Sequence, residues 1–332
     1  MKSPEKLQQL SSQPDETLYR ELLPYLAEDG FFRVLEGGSF VEFHKKLSLL
    51  SEEERGTGIG LALMAQVNIS GRILEMAKQA GSQKAAEVLQ KIIEGKAICS
   101  TGVTEPGWKG RLKNLQSRIS EAGDLNFQKG FLTNGYGADY FIIIAKDEKR
   151  QTYVPVLIPV DSSQMSIERI HTEFTPEATH CRARADKLKI LEEDILPLEY
   201  EAHALEYRLS EILSLTAIFC GFGKKLLRKL KENGELKLLS EEDKREVFYL
   251  HEHLQNLEAR IWDISGRKDK GVKMEEEFPF GLEATASVFF SGLDRIFGKE
   301  KVSSLSKDRS LFELKDPLNE ILYRKAILRF FR

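Results

Sequence analysis

Cysteine is scarce: there are three, at positions 99, 181 and 220, far apart and in no metal-ligand spacing. That excludes a disulfide framework and a thiolate metal centre, and an odd count without a pattern fits a reducing compartment. An excess of either charge is also missing. Against 52 Asp and Glu stand 49 Lys and Arg, for a net charge of -3, so nothing in the balance calls for nucleic acid. No apolar run is long enough for a membrane. The longest, Ile212 to Phe222, falls well short of a bilayer. The first residues, MKSPEKLQQLSSQPDE, are polar and lack the apolar core of a secretory leader, so a soluble, cytoplasmic protein is expected. There is no internal repeat. His251 and His253 sit two apart on a helical stretch, which turns their rings to different faces, so no metal site is expected there. Gly56, Gly58 and Gly60 follow no strand and have the wrong spacing for a dinucleotide fingerprint.

What remains is a chain of 332 residues, 41% hydrophobic and 30% charged, long enough for two or three domains with a buried core. Residues 1–95 carry helical periodicity over Leu18 to Leu26, Ile59 to Ala77 and Gln83 to Glu94, punctuated by glycine turns. Residues 96–190 carry strand signals. Tyr140 to Ala145 is a continuous apolar, β-branched run, as a buried strand requires, and Tyr153 to Val160 is a second. Pro155 and Pro159 place that second run at a sheet edge, since proline cannot donate to a ladder. Gly123-Asp124, Asn134-Gly135 and Asp147-Glu148 mark turns, and a small antiparallel barrel or sandwich is expected. Residues 191–332 return to the helical period. Four helices are expected over Leu198 to Lys231, Glu242 to Ile264, Leu282 to Phe297 and Leu318 to Phe331. The first turns Leu205, Leu209, Ile212, Leu213, Leu215, Thr216 and Phe219 inward. They bury their stripes best as a four-helix bundle. The expected fold is mainly α with a central β-barrel: an N-terminal helical domain (1–95), a barrel (96–190) and a C-terminal bundle (191–332).

Three stretches then fall into one register: GTGIGLALMAQ, AGSQKAAEVLQKIIEGKAICSTGVTEPG and LNFQKGFLTNGYGADYFIIIA, between Gly56 and Ala145. In order and spacing they resemble the acyl-CoA dehydrogenase family. Taken singly, Thr-Glu-Pro also reads as a turn and Thr-Asn-Gly as a hairpin loop. The resemblance implies bound FAD, an acyl-CoA substrate dehydrogenated at its α and β carbons, an electron-transfer flavoprotein as acceptor, and a homo- or hetero-oligomer. It also implies roles for individual residues. Val103 and Thr104 would lie against the pyrimidine end of the flavin. Phe131 would cover the ring where relatives usually have tryptophan, and Thr133 would place its hydroxyl near N5.

The same resemblance breaks elsewhere. The family follows Thr-Glu-Pro with small residues; here Trp108, Lys109, Gly110 and Arg111 stand there. A lysine could supply a point charge to a phosphate, but an exposed, drifted loop is the reading retained. The family's Arg-x-x-Phe-Gly at the end of the first bundle helix is replaced by RKLKENGE (228–235), and its glycine-rich stretch by Lys301 to Leu311. By the resemblance, the half-site for the flavin ring is largely retained, and the half-site offered to a neighbouring subunit is largely lost. A heteromer with a more complete relative is therefore expected, or a non-catalytic subunit that binds an acyl thioester. For the catalytic carboxylate two positions correspond. Asp316 lies beside Pro317, which occupies one of the family's glutamate positions, with Glu313 nearby. Glu206, on the first bundle helix, sits one residue early for the other, and one residue is about a 100° turn.

Overall fold

The computed structural model describes residues 1–108, 110–161, 163–273 and 282–314. Six α-helices come first: α1 (Ser3–Gln9), α2 (Asp15–Glu28), α3 (Phe40–Ser51), α4 (Gly56–Ala65), α5 (Arg72–Gln79) and α6 (Gln83–Ile93). The expected single helix over Ile59 to Ala77 is interrupted by a π-helical turn, Gln66–Gly71. Its polar side chains reach outside the helix. Gln66 Nε2 donates to the Ala97 carbonyl at 3.0 Å and Ser70 Oγ to the Cys99 carbonyl at 3.0 Å. Those bonds pin the helical segment to the strand that follows, and such insertions are where helices widen.

Seven strands follow: β1 (Cys99–Gly102), β2 (Arg118–Ile119), β3 (Asp124–Leu132), β4 (Tyr140–Asp147), β5 (Thr152–Pro159), β6 (Ser166–Ile170) and β7 (His180–Lys189). All belong to one sheet. β5 pairs with β4 along its whole length, leaving β4's other edge to β1 over residues 140–143 and to β2 over residues 146–147. Beyond β2 come β3, β7 and β6. The expectation of an antiparallel barrel needs correction on two counts. The β1–β4 and β2–β4 pairings are parallel, so the sheet is mixed. Some forty residues separate β1 from β4 in sequence, and a connection of that length permits parallel pairing where a tight hairpin does not. No ladder joins β5 to β6 among the described residues, so the sheet does not close. The proline-bearing strand β5 is an edge, touched on its outer side by one bridge from Val156 to Ile195.

Helices α7 (Tyr200–Glu232), α8 (Glu241–Asp269) and α9 (Leu282–Phe297) form the next layer, followed by the short α10 (Lys299–Leu305) and α11 (Arg309–Phe312). The fourth long helix expected, Leu318 to Phe331, lies outside the described residues. α3 packs against both α7 and α8, so an N-terminal helix joins the group around α7. The crossing of α3 and α7 is close enough to require glycine: a Cβ on Gly221 would lie 2.1 Å from the Ser48 carbonyl oxygen. Most of the inward stripe of α7 is buried, but Leu205 is 42% exposed, while its neighbours Tyr200 and Tyr207 are buried in its place. The main apolar core runs through all three segments, from Leu22 and Leu50 through Phe141 and Ile143 to Phe219 and Phe289, and a second, smaller cluster joins Leu213 and Ala217 of α7 to Ile261 and Ile264 of α8. Among the described residues, no helix is long and apolar enough to cross a membrane.

Candidate functional site

The Thr-Glu-Pro segment leaves the end of β1 and runs beside β3. The Thr104 carbonyl accepts a hydrogen bond from the Gly130 amide at 2.8 Å. At the other end of the pair, Ser100 Oγ donates to the Thr133 carbonyl at 2.6 Å. These two bonds run residues 100–104 alongside residues 130–133, although some thirty residues separate the segments in sequence. Val103, Thr104 and Thr133 are half-buried. Neither threonine hydroxyl has a hydrogen-bond partner among the described residues, so both are left to an outside ligand or to water.

Beneath this group lies a buried ion pair. Glu105 Oε1 and Lys129 Nζ are 2.7 Å apart, with side chains 3% and 0% exposed. Lys129 also donates to the carbonyls of Ile144 at 2.8 Å and Val103 at 3.3 Å. Glu105 accepts from the Gln116 amide at 2.5 Å and from the Ser117 amide and hydroxyl at 3.1 and 2.5 Å. Burial pushes the Lys129 ammonium down to about 8, against the pull of Glu105. Burial would raise the Glu105 carboxyl, but Lys129 and the hydrogen bonds outweigh it and hold the group below its ordinary value. Glu105 is thus the anchor of a closed loop. Trp108 closes the same loop from within: its Nε1 donates to the Arg111 carbonyl at 2.9 Å. Lys109 lies outside the described residues.

Phe131 is 38% exposed and lies over His180, ring centroids 4.4 Å apart and planes tilted by 32°. His180 is 2% exposed, and neither ring nitrogen has a partner. Burial pushes its imidazole down to about 4, so it is neutral at physiological pH. Sequence reasoning missed this residue. The signal was present in HCRARA (180–185), whose alternation places His180, Arg182 and Arg184 on one face of a strand. The Asn134-Gly135 turn is not a hairpin, because β3 and β4 are not neighbours in the sheet. Asn134 adopts a left-handed conformation and its Nδ2 donates to the Ala62 carbonyl in α4 at 2.8 Å, which ties the site to the helices.

The carboxylates are placed differently. Glu206, on α7, has a 48% exposed side chain and faces Arg72 of α5 at 3.7 Å. It is not among the residues that the bonds above join. Asp316 and Pro317 lie outside the described residues. Glu313 is ion-paired to Arg309 at 2.8 Å. The basic end of α7 is used internally. Arg228 contacts Glu52, and Lys229 binds Glu54 at 2.6 Å and the Leu305 carbonyl at 3.2 Å.

No family model matches the sequence, and no curated protein matches it. Solved structures do. PigA with FAD and proline superimposes with a TM-score of 0.79 at 19% identity, covering 98% of this chain and 93% of that one. Butyryl-CoA dehydrogenase from Megasphaera elsdenii gives 0.79 at 16%, covering 95% and 90%. The prolyl acyl carrier protein oxidase AnaB gives 0.73 at 16%, covering 99% and 98%. The chain has the acyl-CoA dehydrogenase fold. Within that fold, the residues singled out from the sequence for the flavin ring, Val103, Thr104, Phe131 and Thr133, lie on two segments, 100–104 and 130–133, that hydrogen bonds hold side by side.

Proposed function

We propose that this chain is a divergent acyl-CoA dehydrogenase-like flavoprotein that binds FAD and removes hydrogen from the α and β carbons of an acyl thioester. The observation that carries the proposal is the juxtaposition of Thr104 with Gly130 and of Ser100 with Thr133. It brings the segments that carry two unpartnered hydroxyls and an exposed aromatic ring alongside each other, in a fold whose solved examples include an FAD complex. The residues fit the ring half of the cofactor. Thr104 and Thr133 offer hydrogen bonds, Val103 an apolar contact, and Phe131 a flat surface backed by His180. FAD supplies the hydride-accepting chemistry when bound. The protein orients the ring and excludes water from its Phe131 side. For proton removal we propose Glu206 or Asp316; Glu206 is solvent-accessible and lies 3.7 Å from Arg72.

We take residues 1–95, 96–190 and 191–332 as the three units that assemble around this cluster, with the sheet as a barrel-like centre. Acyl-CoA as substrate, an electron-transfer flavoprotein as acceptor and an oligomeric, cytoplasmic protein complete the proposal. The internal use of Arg228 and Lys229 supports loss of the half-site offered to a neighbour, and so a heteromer. The visible spectrum of the purified protein tests the central claim. Flavin bands that bleach on anaerobic addition of butyryl-CoA support it. A protein that takes up no flavin overturns it. Bands that do not bleach with any acyl-CoA assign the chain to a binding or partner role.

A further inference from the structure

His180, Arg182 and Arg184 alternate along β7 with the buried Cys181 and Ala183, so the three share the outward face of the sheet. His180 is buried on that face because Phe131 covers it. The two arginines are exposed. At the strand rise of about 3.4 Å per residue, their Cα atoms lie about 7 and 14 Å along β7 from that of His180. The neighbouring strand matches this line. Lys129 pairs with Ala183 and Gln128 with Arg184, and Lys129 points inward, so Gly130 and Gln128 flank the arginines on the outward face. Gly130 carries no side chain and is bonded to Thr104. The surface therefore runs from the Phe131 plate, over a bare backbone, to two guanidinium groups.

The charges on this line are largely uncompensated. Arg182 meets Glu168 at 3.4 Å with both side chains mostly exposed, a weak pairing. Arg184 has no acidic partner among the described residues. The strip ends at Asp186, beyond which β7 bulges at Lys187 in a left-handed conformation. At the head of the strip the ring nitrogens of His180, beneath Phe131, have no partner among the described residues.

We propose that this strip is a phosphate track. It receives the phosphorylated tail of a nucleotide-bearing ligand whose other end lies at Phe131, with Arg182 and Arg184 neutralising the phosphates. The inference rests on the reading of Phe131 and Thr104 as a flavin site and adds to it where the charge for the tail comes from. Guanidinium groups are the side chains suited to this, because their planar fork matches phosphate oxygens. Two ligands of that reading have such tails: the diphosphate of FAD and the phosphates of a CoA thioester.

The test compares phosphorylated and unphosphorylated forms on the full-length chain. Dissociation constants are measured by fluorescence for FAD and riboflavin, and by calorimetry for butyryl-CoA and butyryl-pantetheine, with wild type, Arg184→Glu and Arg182→Ala/Arg184→Ala. Loss of about tenfold or more for FAD, with riboflavin unchanged, assigns the track to the cofactor. The same loss for butyryl-CoA, with butyryl-pantetheine unchanged, assigns it to the substrate. Both losses should shrink at high salt. The track is overturned if the variants bind every ligand as wild type does. It is equally overturned if wild type prefers neither phosphorylated form. Wild-type uptake of riboflavin with unaffected arginine variants leaves the flavin reading standing and removes only the track. Both arginines are exposed strand residues, and unchanged thermal midpoints confirm that the variants fold.

Discussion

Glu105 and Lys129 meet at 2.7 Å in the interior of the sheet, a carboxylate from the loop after β1 and an ammonium from β3. The pair welds the Thr-Glu-Pro segment to the strand that carries Phe131. A motif read as belonging to the cofactor thus has a structural member: Thr104 is half-buried while Glu105 is buried and paired.

Glu105→Gln should therefore destabilise the protein by about 3–5 kcal/mol, because it strands Lys129 as an uncompensated buried cation. Glu105→Gln/Lys129→Met should recover much of that loss, since removing both charges leaves nothing to desolvate. Urea unfolding of the two variants checks this. Equal stability of the single and double variants would show that the pair is not coupled.

Phe131→Ala should uncover His180. Water reaching the imidazole relieves the burial that holds it at about 4, so its pKa should rise toward the ordinary histidine value, read by NMR titration of the ring protons. In the wild type the depressed pKa means that His180 favours the folded state above pH 6.5 and loses that contribution as pH falls through about 4. Flavin uptake should weaken by about tenfold, the loss of one aromatic contact.

Glu177 gives a pH dependence of opposite sign. It is 4% exposed and paired to Arg55 Nε at 2.9 Å, packed against Gly58, where a Cβ would meet its Oε2 at 2.1 Å. Burial pushes its carboxyl up to about 7, more than Arg55 pulls it down. A raised carboxyl contributes stability below its unfolded value of about 4.5 and loses it as pH rises through about 7. The free energy of urea unfolding should thus fall between pH 5 and pH 8 by an amount on the order of 2 kcal/mol. Glu177→Gln should flatten that part of the profile. An unchanged profile would place the titrating group elsewhere.

Gly221→Ala should lower stability by roughly 1–3 kcal/mol, the usual range for overpacking, because the added methyl meets the Ser48 carbonyl at 2.1 Å. Thermal unfolding measures it. Gly266→Ala, whose Cβ would lie 3.6 Å from Val41 Cγ2, serves as the tolerated control in a neighbouring helix.

The sequence by itself determined what depends on local period and on short motifs. Tyr140 to Ala145 is a strand because six successive apolar residues leave it no exposed face. β5 is an edge because its prolines cannot donate. α7, α8 and α9 fall close to the ranges their apolar periods predict. The four residues proposed for the flavin could be singled out because three stretches lay in the right order and spacing. The tertiary structure alone decided what depends on strand partners and on burial. Parallel pairing on one edge of β4, the open sheet and the approach of α3 to α7 join residues far apart in the chain, and no local pattern encodes them. The same holds for Glu105 and for His180. Each is a polar residue whose role is set by the neighbour that covers it, and a one-dimensional pattern does not contain that neighbour.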